Sequence, residues 1–420
     1  METAGVVYAG VDWAVDNDQV WAMGLDGTLI AERAFKHTPE GLQELVAWLL
    51  GHAAGDPASV RVAIEVPHGP IVELLIERGI HVFSINPKQL DRFRDRFTVA
   101  GAKDDRLDAR VLADSLRTDT HHFRRLAPEN PTVIELREVS RVLEDLQQEK
   151  TRSVNRLRQQ YRRFFPQFLL LNASLDREWV LALAALIPSP DAAKRVRPGQ
   201  VAKILREHRV RSTNAADVLK LLRQPGFEVA AGTVEAAAWH ISLAVERLQV
   251  LVKQVKRSAH RLDELTQVLV DTPREPVGDG DDQGQGGEQH DVEILRSLPG
   301  VGRIVLAVLL AEASRPLQDR NYHALRALAG AAPVTRRSGR KITVLMRSAC
   351  NQRLRNATYH WARVASQVDP HWKARYAALR ARGHSHGRAL RTIADRLLNV
   401  ACAMLASHTA YDATNLRNAA

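Results

Sequence analysis

At 420 residues with 45% hydrophobic side chains, the chain is long enough for two or three domains, each with its own core. A formal net charge of +11 fits a polyanionic partner, most simply nucleic acid, while the two cysteines, Cys350 and Cys402, form no CxxC pair and so exclude a zinc module or disulfide framework. No apolar run approaches the roughly 18 residues of a membrane span, and no basic segment with an apolar stretch opens the chain; a cytoplasmic, nucleoid-associated protein is expected.

Residues 6–118 read as alternating strands and helices. Val6–Asp12, Gln19–Leu25 and Leu29–Phe35 have strand character. Thr38 followed by Pro39 opens a helix that runs to Gly51. Val60–Glu65 reads as a buried strand, Pro70–Arg78 as a helix ended by Gly79, and Ile80–Ile85 as a further strand before Pro87 starts another helix. Such alternation predicts a central sheet covered by helices.

Leu136, Val139, Leu143 and Leu146 then follow the three-four spacing of a helix, which resumes at Leu157, Tyr161 and Phe164 and ends at Pro166. A second long helix is predicted over about 233–270. In it Ala238, Val245, Val252 and Ala259 repeat every seven residues, as do Ile241, Leu248, Val255 and Leu262. Two such ridges fit either an internal helical hairpin or a dimerisation arm; heptads alone do not distinguish them. Residues 170–230 read as helical and basic without an interpretable motif. The Gly- and Asp-rich stretch 273–291 reads as a flexible linker, followed by a helical domain over 292–410.

Four acidic residues carry the chemistry. Asp12 and Glu65 each close an apolar strand, where active sites form at the carboxyl edge of a sheet. Asp105 and Asp108 share a helix face at i,i+3; Asp104 and Asp108 do so at i,i+4, and spacing alone leaves both pairs open. Oxygen donors of this kind suit Mg²⁺, which is usually completed by substrate phosphates. Lys103 beside them is a candidate phosphate contact.

The C-terminal domain opens on Leu298-Pro299-Gly300-Val301-Gly302 before an apolar helix, where Gly300 and Gly302 would let backbone N–H groups approach a phosphate. From Arg320 to Val368 there is no Asp or Glu but ten Lys and Arg, among them Arg336, Arg337, Arg340, Lys341, Arg347, Arg353 and Arg355. Arginines without counter-charges repel one another unless an anion is bound, which predicts a phosphate-binding surface. Within it lies Thr335-Arg336-Arg337-Ser338-Gly339-Arg340-Lys341: guanidinium groups flank a hydroxyl, and Gly339 permits close backbone approach. A serine there is ordinarily a phosphate contact, and a nucleophile only if activated.

In order, strand-Asp12, strand-Glu65, Lys103-x-Asp105-x-x-Asp108-Ala109, Leu298-Pro299-Gly300-Val301-Gly302, Pro333, Ser338-Gly339 and Asn351-x-x-Leu354-Arg355 resemble the DEDD transposases of bacterial insertion sequences, whose N-terminal domain is similar to the RuvC Holliday-junction resolvase. The resemblance covers nearly the whole chain apart from the linker and residues 170–230. It implies an RNase H-like α/β domain over 1–125, a helical coiled-coil region over 126–272, the linker, and a mainly α-helical C-terminal transposase domain. It implies Mg²⁺, with Mn²⁺ as an alternative, at Asp12, Glu65, Asp105 and Asp108, and a nucleophile at Ser338 that becomes covalently joined to DNA. It also implies donor and target DNA, a structured guide RNA, and a homo-oligomer, dimeric or tetrameric. One departure is Asp104, where the family usually has Thr; Asp105 is preferred as the ligand for its spacing to Asp108 and the following Ala109. Two other readings compete: a junction-resolving nuclease that hydrolyses DNA with the carboxylates alone, and a nucleic-acid-binding protein without activity.

Overall fold

The structure, a computed structural model, describes residues 5–14, 16–97, 104–126, 130–171, 173–230, 232–271, 291–339 and 341–412, without the side chains of Lys88 and Lys341. Lys103, Arg340 and residues 273–290 of the expected linker lie outside the described residues. The chain divides into two compact units, Met1–Glu129 and Asn130–Ala420.

The first unit is built on one six-stranded sheet. Its elements are β1 (Val7–Trp13), β2 (Asn17–Met23), β3 (Leu29–Lys36), α1 (Pro39–His52), β4 (Val60–Ile64), α2 (Pro70–Glu77), β5 (His81–Ser84), α3 (Pro87–Arg94), α4 (Asp105–Asp119) and β6 (Arg124–Arg125). The strand order is β3-β2-β1-β4-β5-β6. β1, β2 and β3 are antiparallel neighbours, β4 and β5 run parallel to β1, and β6 is antiparallel. This mixed sheet with helices is consistent with an RNase H-like domain. Helix α1 starts where expected, with Thr38 Oγ1 accepting from the Gly41 N–H and Pro39 in the first turn.

Alternation along β1 sorts its side chains. Val7, Ala9 and Val11 enter one core with α1 and α2, while Tyr8 enters the other with Leu112 and Leu116 of α4. Gly10 lies on the α4 face. A Cβ there would stand 2.0 Å from the Ala109 carbonyl oxygen and 2.6 Å from the Ala113 nitrogen. The helix backbone therefore rests directly on the strand, which only glycine allows.

The second unit is mostly helical: α5 (Pro131–Phe164), α6 (Glu178–Leu186), α7 (Pro190–Arg195), α8 (Pro198–Glu207), α9 (Ala215–Leu222), α10 (Thr233–Asp271), α11 (Asp291–Ser297), α12 (Arg303–Glu312), α13 (Ser314–Gln318), α14 (Tyr322–Leu328), β7 (Val334–Ser338), β8 (Lys341–Leu345), α15 (Gln352–Val368), α16 (Pro370–Ala381) and α17 (His386–Ser407). The antiparallel hairpin β7–β8 interrupts a domain expected to be mainly α-helical.

The heptad ridges of α10 are covered from within the chain. Ile241, Val245, Leu248 and Val252 pack with α5 to α9. Leu262, with Val255 and Ala259 beside it, joins the start of α5 and the C-terminal helices. Of the two readings the spacing allowed, the ridges serve an internal hairpin of α5 and α10; no coiled coil between chains is needed to bury them. Leu248 is fully buried, so Leu248→Ala should cost about 2–5 kcal/mol. Its thermal midpoint should fall equally at low and high protein concentration. A deficit that disappears on concentrating the protein would instead put Leu248 in a subunit interface.

Candidate active site

Two of the candidate carboxylates follow neighbouring strands at one end of the sheet. β1 and β4 are parallel and in register through Val11 and Ile64, so the next residue on each chain, Asp12 and Glu65, comes at the same level. Asp12 follows Gly10 by two residues, and Glu65 follows Ala63, which packs on the α4 side. Both therefore belong to the face that α4 covers. The contact of Gly10 with Ala109 fixes the first turn of α4 against this edge, and Asp108 directly precedes Ala109.

Asp108 is 4% exposed. Its carboxylate accepts from the Arg94 Nε at 2.6 Å, and Arg94 also pairs with Asp91 at 3.1 Å. Burial alone would lower the basicity of Arg94; the hydrogen bond and charge of Asp108 outweigh it and hold the guanidinium pKa above its ordinary value. Asp104 caps α4, accepting from the Arg106 N–H at 3.1 Å. Asp105 follows as the first helical residue and is exposed. Among the described residues, no three His, Cys, Asp or Glu are close enough together to hold a metal ion. The donor chemistry, all carboxylate, is of the kind a hard divalent cation takes, while the buried Asp108 is here engaged by Arg94.

In the second unit the β7–β8 hairpin presents Ser338. The strands pair from Val334↔Leu345 to Ser338↔Lys341, leaving a two-residue connection in which Gly339 takes φ +55°. Ser338, Arg336 and Arg337 are exposed. Alternation puts Arg336 on the same face as Ser338, and Arg337 on the other with Ile342. Neither arginine has a carboxylate partner among the described residues, which leaves both available to a phosphate.

Other arginines of the acid-free stretch are less available than their spacing implied. Arg353 lies 2.7 Å from Glu144 and 3.3 Å from Glu312. Arg326 makes a two-pronged contact to Asp395 at 2.8 and 2.6 Å, and Arg320 pairs with Asp291. The counter-charges come from outside the stretch, so the repulsion inferred from its composition is partly relieved within the fold. Arg347 donates weakly to the Ala332 carbonyl and itself accepts from Arg355 at its carbonyl. Asn351 caps α15 through Leu354 N–H at 3.0 Å and donates to Glu312 at 2.7 Å. The Asn351-x-x-Leu354-Arg355 motif thus anchors the base of the hairpin.

Gly300 has φ +82°, and a Cβ there would stand 2.7 Å from the Ala365 nitrogen. Trp361 Nε1 donates to the Pro299 carbonyl at 3.0 Å. The close approach this glycine permits is to α15. Gly302, with open space around its Cβ position, leaves the start of α12 accessible.

Sequence reasoning missed Gly10, Arg94 and Glu312. A glycine inside a strand pattern signals close backbone approach, so Gly10 was detectable. Nothing local marks Arg94 or Glu312 as partners of residues so far along the chain.

Two family descriptions match this chain: a DEDD transposase model of the IS110 type over residues 9–166, and the transposase IS116/IS110/IS902 family over residues 292–377. The mini-circle protein of IS117 from Streptomyces coelicolor, named as a candidate transposase, is 31% identical over 407 residues, covering 94% of this chain and 93% of that one. The chain belongs to the IS116/IS110/IS902 family of transposases. A 42 kDa protein of insertion element IS900 from Mycobacterium paratuberculosis is 28% identical over 418 residues, 96% of this chain and 97% of that one. The y4uE protein of Sinorhizobium fredii, also named as a candidate transposase, is 54% identical over 211 residues, which is 50% of this chain and 58% of that one. Membership in this transposase family suggests use of a divalent metal. No described helix is long and apolar enough to cross a membrane.

Proposed function

We propose that this transposase breaks and rejoins DNA through a covalent link to Ser338, with Asp12, Glu65, Asp105 and Asp108 holding Mg²⁺ or Mn²⁺. The observation that carries the reading is Gly10: the strand–helix contact it permits brings the Asp108 turn of α4 against the edge that carries Asp12 and Glu65. Asp12, Glu65, Asp105 and Asp108 would hold the ion, which would supply Lewis acidity toward the phosphate. Ser338 Oγ forms a bond to phosphorus as one P–O bond of the strand breaks, releasing a DNA hydroxyl. One phosphoester replaces another, so the bond remains available for rejoining. Arg336, on the serine's face, orients the phosphate and stabilises its developing charge. A structured RNA from the same element selects the donor and target DNA, and the chain works as a homo-oligomer.

The test is to incubate the protein with element-end DNA, its flanking transcript and Mg²⁺, then denature. A protein–DNA adduct that survives denaturant, maps to Ser338 by peptide mass spectrometry and needs divalent metal is expected. Cleaved DNA without an adduct would return the reading to a hydrolytic junction-resolving nuclease.

Two further results are expected. Arg94→Gln removes the partner of a buried carboxylate and should lower metal-free stability by roughly 3 kcal/mol, the low end for a broken buried pair. Millimolar Mn²⁺ should restore most of the lost thermal midpoint in this variant and do less for Asp108→Asn. Equal responses in both would separate Asp108 from metal binding. Replacing Arg336 and Arg337 together with Gln should flatten the log–log salt dependence of DNA binding by about 0.7–0.9 for each phosphate that the protein no longer neutralises. An unchanged slope would place the phosphate-binding groups elsewhere.

A further inference from the structure

A pocket of about 220 Å³ opens at the foot of the β7–β8 hairpin, between the turn after α14, the first turns of α15 and the start of α17. Met346, one residue past β8, forms one wall and Tyr359 of α15 another. Arg355 and Arg391 also line it, and none of its lining residues is acidic. Its floor is kept low by Gly330, which has φ +67° and sits where a Cβ would come within 3.0 Å of Arg355 and Cys350. The Arg355 Nε is buried without a hydrogen-bond partner, although both terminal nitrogens of its guanidinium are engaged, one donating to Gln352 at 3.1 Å and the other to the Arg347 carbonyl. Neither the carboxylate edge nor Ser338 uses this cavity.

A cavity of roughly 150 Å³ holds a benzene ring, so this one has room for a substituted planar ring. Apolar and aromatic walls with two cations and no acid suit a ring that carries a phosphate. We infer that the pocket receives one unstacked nucleotide of a bound DNA strand, its base between Tyr359 and Met346 and its phosphate toward Arg355 and Arg391. The inference rests on the nucleic-acid reading of this unit. It adds that the strand is held by a base as well as by its backbone, at the root of the hairpin that carries Ser338.

The test compares a twenty-nucleotide single strand of thymidines with the same strand lacking every base, by fluorescence anisotropy on the full chain. Wild-type protein should prefer the base-bearing strand by about tenfold, the scale of one stacked base. Gly387 lines the pocket at the start of α17, and a Cβ added there meets nothing within 4 Å. Gly387→Phe should therefore fill the pocket without disturbing the fold. It should erase most of the preference, lowering affinity for the base-bearing strand far more than for the abasic one. Tyr359→Leu should weaken the preference in the same direction and serves as the second variant if Gly387→Phe fails to fold. A folded Gly387→Phe that keeps the full preference overturns the inference, as does a loss seen on a uridine RNA strand but not on DNA. If wild-type protein binds neither strand, the failure lies with the nucleic-acid reading itself.

Discussion

Ser338→Ala is expected to abolish the denaturant-resistant protein–DNA adduct and strand exchange while leaving DNA binding intact. Removing the nucleophile from sites whose groups act as a unit costs on the order of 10⁶ in rate, so no exchange should be detectable. Binding should survive because the change deletes one exposed hydroxyl near the hairpin tip and spares Arg336 and Arg337. The fold should survive too, since Ser338 packs on nothing that defines the core. Loss of both binding and adduct would point to a phosphate-contacting serine without a covalent role. Normal strand exchange by the alanine variant would rule out the serine mechanism, and metal-dependent hydrolysis by the carboxylates would become the better account.

The second large effect is expected from Gly10→Ala. One added methyl would sit 2.0 Å from the Ala109 carbonyl oxygen, and neither a helix backbone nor a central strand can yield locally. Helix α4 must shift outward. Overpacking of this kind costs about 1–3 kcal/mol, but activity should fall further. A misplacement of about 1 Å can cost a hundredfold in rate, and this shift moves Asp105 and Asp108 away from Asp12 and Glu65. Gly51→Ala is the control: it lies in α1, and its added Cβ meets nothing within 4 Å. That variant should gain up to about 1 kcal/mol in stability and keep full activity. Undiminished activity in a folded Gly10→Ala would mean that the α4 carboxylates are not held through this contact.

The first unit was legible because its strands have sharp ends and, as in Val60–Ile64, apolar runs that are buried. Val60–Ile64 and Leu29–Lys36 fall within a residue or so of their expected limits, set by Asp56 and Pro57 before one and Thr38 after the other. The hairpin was not legible. Thr335 to Ser338 are exposed on both faces, so no alternation of polar and apolar residues marks a strand, and the arginines drew attention to charge. Counter-charges for other arginines of the acid-free stretch were hidden for a different reason: Glu312 reaches Arg353 from α12, and Asp395 reaches Arg326 from α17. In α10 the seven-residue spacing reported correctly that one stripe must be covered. It carried no information on whether α5 or another copy would cover it, because the same side chains satisfy either partner.

The glycine at position 10 also bears on how such a protein can age. Where two elements meet side chain to side chain, their separation changes whenever either residue is exchanged for a larger or smaller one. Here the separation of β1 and α4 is set by main chain against main chain, and every residue type has the same main chain. Neighbouring core positions such as Tyr8, Leu112 and Leu116 can therefore drift among apolar types, at some cost in stability, without altering the span between the two pairs of acids. A strand and helix joined in this way tolerate many mutations across their core and almost none at a single residue without a side chain.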